Sequence, residues 1–133
     1  MAGYAYLDAS AIVKLIVAEP ETGALEQYVL ERDGLVGSRL ALTEVLRAIR
    51  RSGRRRTIET AEDVFESLVL VDVTRAVLAR AATLPPHDLR TLDAIHLATA
   101  LSLDLPALAV VSYDQRLAGA ARLAGLAVDQ PGR

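Results

Sequence analysis

At 133 residues the chain has room for one domain, expected to span residues 1–133, and can bury about two-thirds of its unfolded surface without disulfides or structural metal. Apolar residues make up 52% and charged residues 24%, which excludes a disordered chain. The absence of cysteine excludes a disulfide scaffold, thiolate metal sites and a cysteine nucleophile. A formal net charge of −2 excludes a globally basic nucleic-acid coat, though not a local basic patch.

Tyr4 to Leu7 is short, apolar and aromatic-rich and stops at Asp8, as a buried strand does. Ser10 is the expected cap of a helix from Ala11 to Ala18, ended by Glu19-Pro20 because a residue before proline avoids the helical region. A helix over Glu21 to Arg32 stops at Asp33-Gly34. Leu35 to Gly37 reads as a short strand, and Ser38 as the cap of a helix over Arg39 to Ser52. Thr57 to Leu68 reads as helical, with Thr57 and Thr60 as candidate caps. Val69 to Val73 is β-branched and strand-like, and a helix over Arg75 to Thr83 is broken by Pro85-Pro86. Thr91 to Leu103 predicts a helix, Ala107 to Ser112 a strand, Asp114 to Leu123 a helix, and Leu126 to Val128 a last strand. Strands that alternate with helices and read as buried on both faces predict an α/β fold with a parallel sheet.

The apolar stretch from Ala94 to Tyr113 carries Asp104 and Pro106 near its middle, and a charge at a bilayer centre costs about 3 kcal/mol. No membrane association is therefore expected. The first residues, M-A-G-Y-A-Y-L-D, lack the basic and apolar segments of a secretion signal, so the expected location is cytoplasmic.

Ligands of an open parallel sheet bind beyond the carboxyl ends of its strands. Asp8 and Asp114 follow predicted strands and also open helices, where a carboxylate is favoured by the helix dipole; a capping role and a functional one are both open for them. Asp93 is the only carboxylate of L-D-A-I-H-L-A-T-A-L-S-L, Leu92 to Leu103, a helix apolar nearly all round and hence buried. A buried carboxylate needs a partner: Arg90, His96, or a ligand. Glu44 lies on a helical wheel about 60° from Arg47 and about 20° from Arg51, opposite Leu42, Val45, Leu46 and Ile49. Periodicity alone therefore predicts an exposed Glu–Arg pair. Were all four to converge, like charges about 4 Å apart would repel by about 4 kcal/mol at an effective dielectric of 20. A cation would be required, and an all-oxygen donor set suits Mg²⁺ or Mn²⁺, ions that activate water against a phosphodiester.

Four segments appear in order: Y-L-D-A-S-A-I-V-K-L from Tyr6, A-L-T-E-V-L-R-A from Ala41, L-R-T-L-D-A-I-H-L-A-T-A from Leu89, and V-V-S-Y-D-Q-R-L-A-G-A-A from Val110. Together they resemble the PIN-domain family, specifically the VapC-type toxin ribonucleases of bacterial toxin–antitoxin pairs, with the weakest likeness over Thr57 to Pro86. The resemblance implies one PIN domain, an α/β/α sandwich around a parallel sheet of four to five strands. It implies an acidic quartet at Asp8, Glu44, Asp93 and Asp114 that binds Mg²⁺ or Mn²⁺, which reverses the periodicity reading of Glu44. It places small hydroxyl positions at Ser10 and Ser112, beside the quartet. It further implies RNA hydrolysis to 5′-phosphate and 3′-hydroxyl ends, a homodimer, and neutralisation by a small cognate antitoxin of VapB type. The alternatives are a non-catalytic PIN-like module that binds RNA or protein, a dehalogenase-type phosphatase, which carries a second Asp where this chain has Ser10, and a structure-specific DNA nuclease.

Arg47, Arg50, Arg51, Arg54, Arg55 and Arg56 form a basic run, read either as a track for RNA phosphates or as a solvated helix end. Arg51, Arg54, Arg55 and Arg90 are the candidate RNA contacts. Lys14 is expected at the surface. His96 is expected either beside Asp93 or as a core histidine bonded to backbone. A mean hydropathy of +0.28 suggests apolar surface reserved for a partner.

Overall fold

Leu7 is the last residue of β1 (Tyr4–Leu7), the strand on which the rest of the sheet is organised. The computed structural model describes residues 2–51 and 55–133, with the side chains of Arg55 and Arg56 left out of the description. After β1 come α1 (Ala9–Ile16), α2 (Thr22–Leu30), β2 (Gly34–Ser38), α3 (Leu40–Arg50), α4 (Arg55–Glu66), β3 (Val69–Val71), α5 (Arg75–Ala81), α6 (Thr91–Ser102), β4 (Ala109–Val111), α7 (Gln115–Leu123) and β5 (Ala127–Asp129). Each expected strand and helix forms, with no end shifted by more than two residues where the boundary falls among described residues.

All strand pairs are parallel, in the order β3-β2-β1-β4-β5. Side chains alternate across the pleat, so β1 sends Ala5 and Leu7 to one face and Tyr6 to the other. The first face packs on α1 to α4 through Ala11, Ile12, Leu25, Val45, Ile49 and Ala61. The second packs on α6 and α7 through Leu97, Ala100, Leu117 and Ala121. These are two helical layers around one sheet, the expected sandwich, with five strands.

The chain leaves β1 toward β2 and β3, then crosses the sheet to β4 and β5 on the other side. The direction reverses between β1 and β4, and the crevice beyond their carboxyl ends is where such sheets bind ligands. Gly3, just before β1, stands at φ 78°; a Cβ there would come within 2.5 Å of the Ala107 carbonyl oxygen. Only glycine fits that approach of the segment before β4.

Several local expectations change. α1 starts earlier than expected because Asp8, not Ser10, is its N-cap, accepting from the Ala11 amide at 3.0 Å. Ser10 lies inside the helix. Thr57 and Thr60 lie inside α4 rather than at its start. Ser38 does serve the start of α3, accepting from the Leu40 amide at 3.1 Å.

Candidate active site at the β1–β4 crevice

Asp8 leaves β1 into the crevice and is 4% exposed, so its carboxylate survives only if donors replace water. Oδ1 accepts from the Ser10 hydroxyl at 2.6 Å and the Ala11 amide at 3.0 Å, and Oδ2 accepts from the Ser112 hydroxyl at 2.6 Å. Burial pushes the Asp8 carboxyl above the usual aspartate range; the three donors and His96 pull the other way without cancelling it. The two serines also brace the far wall, accepting from the Tyr113 amide at 2.9 Å (Ser10) and the Asp114 amide at 3.2 Å (Ser112).

Asp114 follows β4 and caps α7, with Oδ1 accepting from the Arg116 and Leu117 amides at 2.9 and 3.4 Å. Its second oxygen carries no hydrogen bond among the described residues. Both strand-end aspartates are thus caps, and capping leaves acceptor capacity on each.

Asp93 sits in the first turn of α6. The expected partners are not in contact with it: among the described residues it has neither a hydrogen bond nor an ion pair, with Arg90 or any other group. Burial raises its carboxyl above the usual range, and the charges of Asp114 and Asp8 raise it further, against the milder pull of His96 and Arg90. Three aspartates from three separate segments therefore act on one another, which spacing along the chain could not reveal.

Glu44 departs from the wheel-based expectation. Its side chain is 22% exposed and makes no ion pair with Arg47 or Arg51; Oε1 lies 2.6 Å from Nε2 of His96. It shares an open groove of about 480 Å³ with Ser10, Lys14, Tyr113, Asp114 and Arg133. His96 is 2% exposed and stands neither on Asp93 nor on backbone; its Nδ1 lies 2.7 Å from the Tyr6 hydroxyl. The residue reading missed this Tyr6–His96–Glu44 chain. The one available signal was a polar ring in an otherwise apolar helix.

Lys14 is a second correction. It is 7% exposed, not on the surface, because its ammonium ion-pairs with Glu19 and Glu21 and lies 4.8 Å from the Tyr113 ring centre. Burial alone would lower its pKa, and the two carboxylates outweigh that and raise it. Arg133 completes the cluster, its Nε donating to Glu21 at 2.9 Å. Arg133 foremost, and Lys14 with it, hold the Glu21 carboxyl down to about 2. Burial, with Glu21 adding to it, pushes the neighbouring Tyr113 phenol up to about 12.

Arg90 is exposed at the start of α6, and Arg51 is exposed just past α3. Arg54 and the side chain of Arg55 lie outside the described residues. Among the described residues no three Asp, Glu or His side chains already stand at ligand spacing around one point. The donor set nevertheless suits a hard cation: it is oxygen-rich, carries excess negative charge, and leaves Asp93 and one oxygen each of Asp114 and Glu44 unbonded. Of the four, Asp93 is the one that carries no hydrogen bond among the described residues, and its half-buried side chain can turn toward the others about χ1 and χ2.

The PIN domain family model matches residues 5–123. Ribonuclease VapC46 of Mycobacterium tuberculosis is 44% identical over 133 residues, an alignment covering 95% of this chain and 96% of that protein. Among solved structures, M. tuberculosis VapC20, a sarcin–ricin loop cleaving toxin, superposes with a TM-score of 0.74 at 18% identity, over 96% of this chain and 99% of that one. VapBC2 from Rickettsia felis, bound to a DNA fragment from its promoter, gives 0.68 at 14% identity, over 95% and 97%. With an α/β/α sandwich, a carboxylate-lined crevice at its switch point and a relative this similar along nearly its whole length, the chain belongs to the PIN-domain family, in its VapC group.

Proposed function

We propose that the chain is a metal-dependent endoribonuclease toxin in which Asp8, Glu44, Asp93 and Asp114 hold Mg²⁺ or Mn²⁺ at the β1–β4 crevice. One observation carries this reading: Asp93 is a half-buried carboxylate with no hydrogen-bond partner among the described residues, its pKa raised by burial and by two other carboxylates, at a ligand-binding position of the fold. A structural aspartate would be paired; an acid kept unpaired among like charges is a site waiting for a cation.

The bound ion would supply charge for the phosphodiester oxygen and a water of lowered pKa. The chain's own groups do the rest. Ser10 and Ser112 fix both oxygens of Asp8, so its direction is set before any ligand arrives. The α7 cap fixes one oxygen of Asp114 and leaves the other without a hydrogen bond among the described residues. Arg90 stands beside Asp93, where a guanidinium can take a phosphate oxygen of RNA. Arg51, and Arg54 and Arg55 after it in sequence, are the other candidate contacts to the RNA backbone.

The same reading gives the protein a cytoplasmic place of action, a homodimeric state and a VapB-like antitoxin as its partner. No helix among the described residues is long and apolar enough to cross a membrane. Leu30, Val69 and Leu123 are 80%, 66% and 67% exposed, apolar side chains that a partner face would cover. A solved toxin–antitoxin complex from Klebsiella pneumoniae shares the fold at a TM-score of 0.65, which makes the same type of partner the one to seek.

The test is cleavage of a mixed RNA pool by purified protein in Mg²⁺ or Mn²⁺, with EDTA and Asp93→Asn as controls. Cleavage that leaves 5′-phosphate ends and disappears in both controls is the expected result. Folded wild-type protein that binds RNA without cutting it would favour the non-catalytic module instead.

A further inference from the structure

Three buried or half-buried polar groups from three elements form one line: Tyr6 in β1, His96 in α6 and Glu44 in α3. The Tyr6 hydroxyl is 2.7 Å from Nδ1 of His96, and Nε2 is 2.6 Å from Oε1 of Glu44. Tyr6 is fully buried and His96 nearly so. The two rings meet edge to face, centroids 5.9 Å apart and planes at 67°, so neither can turn without the other.

The direction of each bond follows from what the groups can do. A carboxylate only accepts, so Nε2 carries a proton and donates to Glu44. A neutral imidazole has one donor nitrogen and one acceptor, so Nδ1 accepts and the phenol donates to it. The acceptor-only carboxylate of Glu44 therefore fixes the Nε2–H tautomer, and the phenol, donating to Nδ1, anchors the ring that presents this donor. Glu44 needs such a hold. On α3 it is flanked by solvent-facing Thr43, Arg47 and Ala48, and without His96 its natural partner one turn along is Arg47. The histidine pulls one oxygen inward and leaves the other without a hydrogen bond among the described residues.

We propose that His96 is a positioning residue: it holds Glu44 in the β1–β4 crevice for a divalent cation, with the Tyr6 hydroxyl anchoring the ring through Nδ1. The inference rests on the metal-site reading of Glu44 given above. Groups that orient a metal-binding carboxylate typically change metal affinity about 10–100-fold when removed.

The test uses the full chain and Mn²⁺ alone, without RNA, read by electron paramagnetic resonance of the free ion. In side-chain length, an asparagine amide falls where Nδ1 lies and a glutamine amide where Nε2 lies. His96→Gln should therefore keep a donor on Glu44 and bind Mn²⁺ within about threefold of wild type. His96→Asn should lose about ten-fold or more, although both remove the ring. A purely packing role predicts equal losses from Asn and Gln, and that result, or no loss from either, overturns the proposal. Tyr6→Phe opens almost no space and carries the test should a position-96 variant not fold. The ¹⁵N signal of Nδ1 in the His96 ring should then lose its hydrogen-bond shift, with weakened Mn²⁺ binding; an unchanged Nδ1 signal and affinity overturn the relay. Wild-type protein that binds no Mn²⁺ would instead overturn the metal-site reading itself, and the Nδ1 signal would still report whether the relay exists.

Discussion

Ser112→Ala tests how the crevice tolerates Asp8. Ser112 is fully buried, and its hydroxyl donates to Asp8 at 2.6 Å. A hydrogen bond to a charged group contributes about 1.5–3 kcal/mol to stability, against about 0.5–1.5 for a neutral one. The variant should therefore lose about 1.5–3 kcal/mol while Asp8 is ionised. With an unfolding entropy of about 2.1 cal/mol/K per residue, that corresponds to a fall in melting temperature of roughly 5–10 °C. The pH dependence follows from the direction of the Asp8 shift. Because burial raises its folded-state pKa above the unfolded value, the native chain binds that proton more tightly, and stability declines as pH rises from the ordinary aspartate range through the folded pKa. Removing a donor raises the folded pKa further, so the deficit of the variant should widen toward pH 8 and narrow toward pH 4. Urea denaturation in EDTA across that range, repeated with Asp8→Asn as the background, measures it. In that background the serine substitution should cost about 1 kcal/mol or less, the neutral-bond value. An equal cost at every pH and in both backgrounds would refute the claim that Ser112 serves the Asp8 charge.

Asp93→Asn should abolish RNA cleavage while raising metal-free stability by about 0.5–2 kcal/mol, the usual gain from relieving a strained functional site; a melting temperature below wild type in EDTA would contradict this. Arg133→Ala removes the main group holding Glu21 down to about 2. Stability from that depressed carboxyl is present above the ordinary glutamate range and lost as pH falls toward 2, so the variant's acid-unfolding midpoint, followed by circular dichroism, should move to higher pH. The purified protein should run as a dimer by light scattering at micromolar concentration, and Leu123→Glu, on a 67% exposed leucine, is the first substitution to try for shifting it to monomer. Leu97→Ala, at the buried centre of the second face, should cost about 2–5 kcal/mol in urea denaturation.

The strands were legible as short apolar or β-branched runs set between turns and helices, and their parallel arrangement follows from that alternation with helices. The strand-end positions of Asp8 and Asp114 were legible for the same reason. Asp93 stood out because a lone carboxylate breaks an apolar helix. Glu44 was not legible from periodicity: the wheel places it correctly on the polar side of α3, yet a buried histidine from α6 reaches across the layer to it, and no pattern within α3 encodes that. Lys14 was misread for a related reason. Its burial depends on Glu19, Glu21, Arg133 and the Tyr113 ring, which converge only once α1, α2 and the segment after β5 have folded together. Single-element patterns report which face an element buries; contacts between elements decide which polar groups are buried with it.

Soaking crystals of the wild-type protein and of Asp93→Asn in Mn²⁺, and measuring anomalous scattering, tests the central claim most directly. A peak is expected in the β1–β4 crevice contacted by Asp8, Asp93 and Asp114, with Glu44 bound directly or through water, and its loss in the variant. A peak elsewhere, or one that persists unchanged when Asp93 is neutralised, would contradict it.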